Sequence, residues 1–167
     1  HVVLKRKEDR ENKNDINSPF YSNFIDILNE FTNKHNINYK EVLRIAVNFS
    51  YNNNSKSSPI HLDHDYPHKQ LLIYLNKVKD LNSRTIIYNE SKSKILKDIE
   101  PDQYKGICFN SLPHSTYFPT KGERFVVVYT RIIGSWVYKC ISSCIIRSSY
   151  LCCIFSKKRS SSIINIF

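Results

Sequence analysis

The sequence predicts a mainly β fold, a double-sheet jelly roll with one or two N-terminal helices packed on the outside. Three observations predict it. Short runs of β-branched, aromatic and aliphatic residues recur through residues 40–131 with turn signals between them, the pattern of a sandwich or barrel. The chain has only 3 Gly in 167 residues, so its turns must rest on Asn, Asp, Ser and Pro, which are plentiful. A helical period appears clearly in one early segment.

Taken in order, Val2-Val3-Leu4 predicts an edge strand within residues 1–6, and the mixed charges up to Asp15 read as a solvated lead-in. Ser18-Pro19 predicts a helix start, with Ser18 as N-cap and Pro19 in the first turn. Phe20, Phe24, Ile27, Leu28 and Phe31 fall on one helical face, which should pack against a sheet, and Asn33 to Asn36 close the helix. Val42 to Phe49 read as a strand. Asn52 to Ser58 form a polar loop, then strands are expected at 69–76, 84–89, 95–100, 104–110, 112–116 and 122–132.

Length predicts one domain, 1–131, with its core at 40–131. Residues 132–167 differ in kind: an atypical basic tail rich in Ser, Cys and Ile, expected to be poorly packed or wrapped on the outside. Arg131, Lys139, Arg147, Lys157, Lys158 and Arg159 supply six of the formal +10 charges, and residues 131–167 hold no Asp or Glu. Charge concentrated in a tail, with no basic-aromatic groove in the body, gives no clear nucleic-acid partner. Lys139 and Arg147 interrupt the apolar tail, so no clear transmembrane segment is expected. Four of the five cysteines (Cys140, Cys144, Cys152, Cys153) lie there as well. No second well-spaced pair completes a zinc site, so free thiols in a reducing compartment are expected, and hence a cytoplasmic location.

The chemistry concentrates in the stretch from Pro59 to Asn76. His61 and Asp63 stand two apart, and residues i and i+2 of an extended chain face the same side. With His114 brought alongside, they make a 2-His-1-carboxylate set, which suits a non-haem Fe(II) with open positions. Asp65 competes with Asp63, but pairing it with His61 breaks the i, i+2 geometry. Arg124 sits near the start of the apolar strand Phe125-Val126-Val127-Val128. A lone Arg there needs a carboxylate, either Glu123 or Asp98 within the protein or a bound anion. His68 is a candidate for the pocket mouth, against the plainer reading of an exposed loop histidine. Asn52, in the polar loop, is a candidate for substrate contact.

His61-x-Asp63, the strand Leu71-Leu72-Ile73-Tyr74-Leu75-Asn76, His114 and Gly122-Glu123-Arg124 together resemble the 2-oxoglutarate/Fe(II)-dependent dioxygenases. The nearest branch is the prolyl-4-hydroxylase-like one, including phage- and virus-encoded relatives. The resemblance implies a double-stranded β-helix, Fe(II) held by His61, Asp63 and His114, and 2-oxoglutarate as cosubstrate with O2, with ascorbate as an accessory. It implies that Arg124 binds the distal carboxylate of 2-oxoglutarate, helped by a tyrosine hydroxyl. Tyr51 and Tyr74 both qualify, and the register of the strands decides between them. The implied reaction hydroxylates an unidentified peptide or small-molecule substrate, such as a peptidyl prolyl side chain, and converts 2-oxoglutarate to succinate. Ser83-Arg84 before Thr85 departs from the family, where Gly commonly precedes the Thr. Competing readings are a non-catalytic jelly-roll binding module, and a cupin-like enzyme in which His64 or His68 adds a third histidine. Oligomeric state is open.

Overall fold

The computed structural model describes residues 1–5, 15–132 and 152–155. Nine strands and one helix are present among them: β1 (Val2–Leu4), α1 (Tyr21–Lys34), β2 (Glu41–Tyr51), β3 (Lys69–Tyr74), β4 (Thr85–Tyr88), β5 (Ile95–Ile99), β6 (Gly106–Asn110), β7 (His114–Thr116), β8 (Glu123–Ile132) and β9 (Cys152–Phe155). They form a six-stranded sheet, ordered β1-β2-β8-β3-β6-β9, and a three-stranded sheet, ordered β5-β4-β7. All pairings are antiparallel. The fold is mainly β and compatible with a jelly roll.

The two faces of the large sheet are both apolar, for different reasons. On one face, Leu71, Ile73, Cys108, Val127 and Tyr129 pack with Phe24 and Leu28 of α1. On the other, Leu72, Tyr74, Ile107, Phe109, Val126 and Val128 pack with Ile87 and Ile99 of the small sheet. β3 is thus covered on both sides, which is why it runs as Leu71-Leu72-Ile73 without alternation. Burying each such side chain is worth about 1.5–3 kcal/mol. A helix of 14 residues is marginal alone, so α1 depends on this packing. Tyr129 ties the two layers: its hydroxyl donates to the Phe24 carbonyl at 2.8 Å, and burial raises its pKa well above the ordinary value. Gly106 lets α1 come close, since a Cβ there would lie 2.6 Å from the Phe31 ring.

The helix start differs from expectation. Phe20, not Ser18, is the N-cap residue, and no side chain caps the helix. The Ser18 hydroxyl instead accepts from the Phe20 N–H at 3.3 Å, closing the turn before it. Phe20 itself is 49% exposed, so the buried stripe is Phe24, Leu28 and Thr32. One helix, not two, is present among the described residues. Within the tail, residues 152–155 are described: they pair with β6 (Gly106↔Phe155 to Phe109↔Cys152) and add an edge strand to the large sheet, while the rest of the tail, expected to be poorly packed or wrapped on the outside, lies outside the described residues. The expectations for Cys140 and Cys144 lie outside the described residues.

Between β2 and β3 the chain crosses to the small sheet. Ser58 N–H donates to the Thr116 carbonyl at 2.9 Å, and His61 bridges His114, so residues 56–61 run beside β7. That crossing carries the His-x-Asp pair to β7.

Candidate metal centre

His61, Asp63 and His114 come together, with one ligand atom from each lying within 4.8 Å of the others. They could hold a metal ion. His61 and His114 exchange backbone hydrogen bonds of 3.0 Å in both directions, and their ring centroids are 4.5 Å apart. Asp63 follows two residues on, with Oδ1 3.6 Å from His61 Nε2.

Both rings are anchored by the same device. His61 Nδ1 lies 2.9 Å from the Pro59 carbonyl, and His114 Nδ1 lies 3.0 Å from the Leu112 carbonyl. A carbonyl only accepts, so each Nδ1 carries a hydrogen, and Nε2 is the nitrogen left to ligate a metal. That backbone support is what a ligating imidazole needs. Burial pushes the His114 pKa below the ordinary value, against the opposing pull of Asp63, so the ring stays neutral. His61 is exposed, which leaves the cluster open on one side. Gln70, 1% exposed on β3, donates from Nε2 to Asp63 Oδ2. Two imidazoles and one carboxylate on one side, with the rest open, suit a non-haem Fe(II).

Arg124 is 2% exposed on β8. Its Nη2 donates to Thr85 Oγ1 at 2.8 Å, and its guanidinium lies 5.1 Å from the Tyr74 ring centre. Tyr74 and Thr85 share a further hydrogen bond of 2.8 Å between hydroxyls. Neither internal carboxylate partner considered for Arg124 is used. Asp98 pairs with Arg84 at 2.5 Å, and Glu123 points from the opposite face of β8. Among the described residues no carboxylate faces Arg124, its Nε is buried without a partner, and burial lowers its pKa. A desolvated, uncompensated guanidinium is costly unless an anion joins it.

Register puts the two tyrosines on opposite faces of the sheet. Tyr74 pairs with Val126, which stands two residues from Arg124 along β8, so Tyr74 and Arg124 share a face. Tyr51 pairs with Glu123, is 54% exposed and stacks on Phe49, so it lies on the opposite face, away from Arg124. Asn52 builds the loop: its amide donates to the Thr120 carbonyl at 3.2 Å and accepts from Asn54 N–H. His68 is 5% exposed, not an exposed loop histidine. Its Nδ1 bonds the Tyr66 carbonyl at 2.7 Å, and its Nε2 is buried without a partner.

Three residues of this region had no role in the sequence reading. Gln70 holds Asp63, and Thr85 links Tyr74 to Arg124. The Asn76 amide clamps β8 on both sides of Arg124, donating to Glu123 O and accepting from Phe125 N–H, each at 2.9 Å. The available signal was a polar residue bordering an apolar run in each strand.

No family model matches the chain, and no curated protein matches it. Among solved structures it is similar to an oxidoreductase of the 2OG-Fe(II) oxygenase family from Burkholderia pseudomallei. The TM-score is 0.60 and the identity 12%, over 78% of this chain and 63% of that one. The chain therefore spans less than two thirds of that protein's length. No helix among the described residues is long and apolar enough to cross a membrane. At 12% identity the likeness is one of fold: this chain has the fold of a 2OG-Fe(II) oxygenase and, within it, a His, an Asp and a second His close enough to hold a metal ion.

Proposed function

We propose that the chain is an Fe(II)- and 2-oxoglutarate-dependent dioxygenase of the prolyl-4-hydroxylase-like branch, a double-stranded β-helix in a single domain, 1–131, acting in the cytoplasm. Its reaction would hydroxylate a peptide or small-molecule substrate, with a peptidyl prolyl side chain as the leading class. The observation that carries this reading is the relation between the metal cluster and Arg124. Thr85, which bonds Arg124, pairs with Thr116, and Ile87 pairs with the candidate ligand His114. Two residues along a strand span roughly 7 Å. That is the scale on which a five-carbon dicarboxylate would reach from a metal at His114 to the guanidinium.

His61 Nε2, His114 Nε2 and Asp63 would hold Fe(II). With 2-oxoglutarate and O2, that group supplies oxidation of the substrate coupled to decarboxylation of the cosubstrate to succinate. Arg124 would bind the distal carboxylate, and a Tyr74 hydroxyl beside it would donate a second hydrogen bond. Tyr74 and Val126 are buried on the Arg124 face, and an apolar surrounding of this kind would strengthen the charge pair. Ascorbate would serve as an accessory reductant. His68 and Asn52 are proposed nearer the substrate than the cosubstrate.

The test is an anaerobic titration with Fe(II) and then 2-oxoglutarate, followed by the visible charge-transfer band. The band should be lost in Asp63→Ala and should need far more 2-oxoglutarate in Arg124→Ala. No band in folded wild-type protein would overturn the reading.

A further inference from the structure

We infer that Gln70 is a positioning residue that keeps Asp63 a one-oxygen metal ligand, by holding its second carboxylate oxygen in a hydrogen bond. The inference rests on the proposed metal centre.

The two oxygens of Asp63 have separate environments. Oδ1 lies 3.6 Å from Nε2 of His61, one of the candidate ligands, and Oδ2 accepts from Gln70 Nε2. A carboxylate bound to a metal through both oxygens occupies two positions; with Oδ2 engaged elsewhere, it occupies one. The chemistry proposed for this site needs every remaining position for cosubstrate and O2, so the difference is functional.

Gln70 is built for that task rather than for packing. It is 1% exposed on a central strand, flanked across the sheet by Thr130 and Phe109, so its backbone is fixed by register on both sides. The residues that follow it, Leu71, Leu72 and Ile73, are buried and apolar. A carboxamide at such a position costs free energy unless its hydrogen bonds are made, and Asp63 is the partner its Nε2 makes. A primary amide also has the right charge. It donates without adding a positive charge that would compete with a metal for Asp63. A carboxylate at this position would repel Asp63 instead.

Co(II) serves as the probe, because its visible d–d absorption falls in intensity as coordination number rises. Wild type, Gln70→Met and Gln70→Glu are each titrated with Co(II), with folding checked by circular dichroism. Both variants should bind Co(II) roughly 10- to 100-fold more weakly, the usual cost of losing an outer-shell partner. Gln70→Met should also show a weaker d–d band, as the released oxygen joins the metal. A folded variant with wild-type affinity and spectrum would overturn the inference and leave the metal centre standing. Failure of wild-type protein to bind Co(II) would instead overturn the metal-centre reading itself. A further measurement needs no substitution: the metal-loaded minus metal-free infrared difference spectrum of wild type labelled with 13C-aspartate. A wide splitting of the carboxylate stretches is expected for one-oxygen ligation, and a narrow splitting would overturn the inference.

Discussion

His61 and His114 exchange both backbone hydrogen bonds of a single antiparallel bridge, each 3.0 Å long. One bridge therefore sets the spacing of two candidate ligands that lie far apart in the chain. The two contribute differently to the fold, since His61 is exposed and His114 is 8% exposed beside Phe109. His61→Ala should leave the melting temperature nearly unchanged, yet cost more metal affinity than the roughly 10- to 100-fold typical of an outer-shell partner. His114→Ala should lose metal as well and destabilise the fold by about 1–3 kcal/mol. Metal titration and thermal melts on both variants check this.

Arg124 should be a liability without its anion. Arg124→Met removes a buried, uncompensated charge, so the variant should melt no lower than wild type in buffer alone. Saturating 2-oxoglutarate should reverse the order, because a ligand at 100 times its Kd stabilises by about 2.7 kcal/mol and the variant gains none of it. A melt with and without 2-oxoglutarate separates the two. A variant stabilised as much as wild type would remove Arg124 from the cosubstrate site.

Tyr74→Phe and Tyr51→Phe form a matched pair. The first deletes the hydroxyl bonded to Thr85 beside Arg124, and should raise the Kd for 2-oxoglutarate about fivefold, the worth of about 1 kcal/mol. The second alters an exposed ring on the other face and should change nothing. Calorimetric titration of both decides between them.

Asp80 should make the fold sensitive to acid. Its carboxylate accepts from Thr120 N–H at 2.7 Å, the Thr120 hydroxyl at 2.8 Å and Asn82 N–H at 3.0 Å. The Thr120 backbone bond is the main cause of its lowered pKa, opposed by burial. The unfolded chain takes up this proton first as pH falls. The stabilisation is thus complete above the ordinary aspartate range and is lost as pH drops through the folded value. Asp80→Asn should cost about 1.5–3 kcal/mol at neutral pH and progressively less in acid. Equilibrium unfolding against pH measures both slopes.

Gly106→Ala should show how closely α1 sits on the sheet. The added methyl meets the Phe31 ring at 2.6 Å, and overpacking of this kind costs about 1–3 kcal/mol. Phe31→Leu in the same chain should recover part of the loss, as read by chemical denaturation.

Much of this protein is visible from residue type and spacing. Lys69–Tyr74, Thr85–Tyr88 and Glu123–Ile132 form strands within the stretches their apolar runs mark out. His61, Asp63 and His114 stand out because an i, i+2 pair and a later histidine are a local pattern in the chain. The Arg124 problem is also local: a cation in an apolar strand demands a partner. What the chain order left open was every question of facing. Tyr51 and Tyr74 were equal candidates until the β2–β8 and β3–β8 registers put Tyr74 on the Arg124 face and Tyr51 on the other. A one-residue slip would have exchanged them. Gln70, Thr85 and Asn76 went unassigned because a polar residue beside an apolar run says only that it needs a partner. Their partners, Asp63, Arg124 and the two peptides around it, meet them only when sheet pairing and the crossing to β7 bring them there. Local chemistry is written in composition and spacing, whereas the meeting of distant side chains depends on register, and register is a property of the folded sheets.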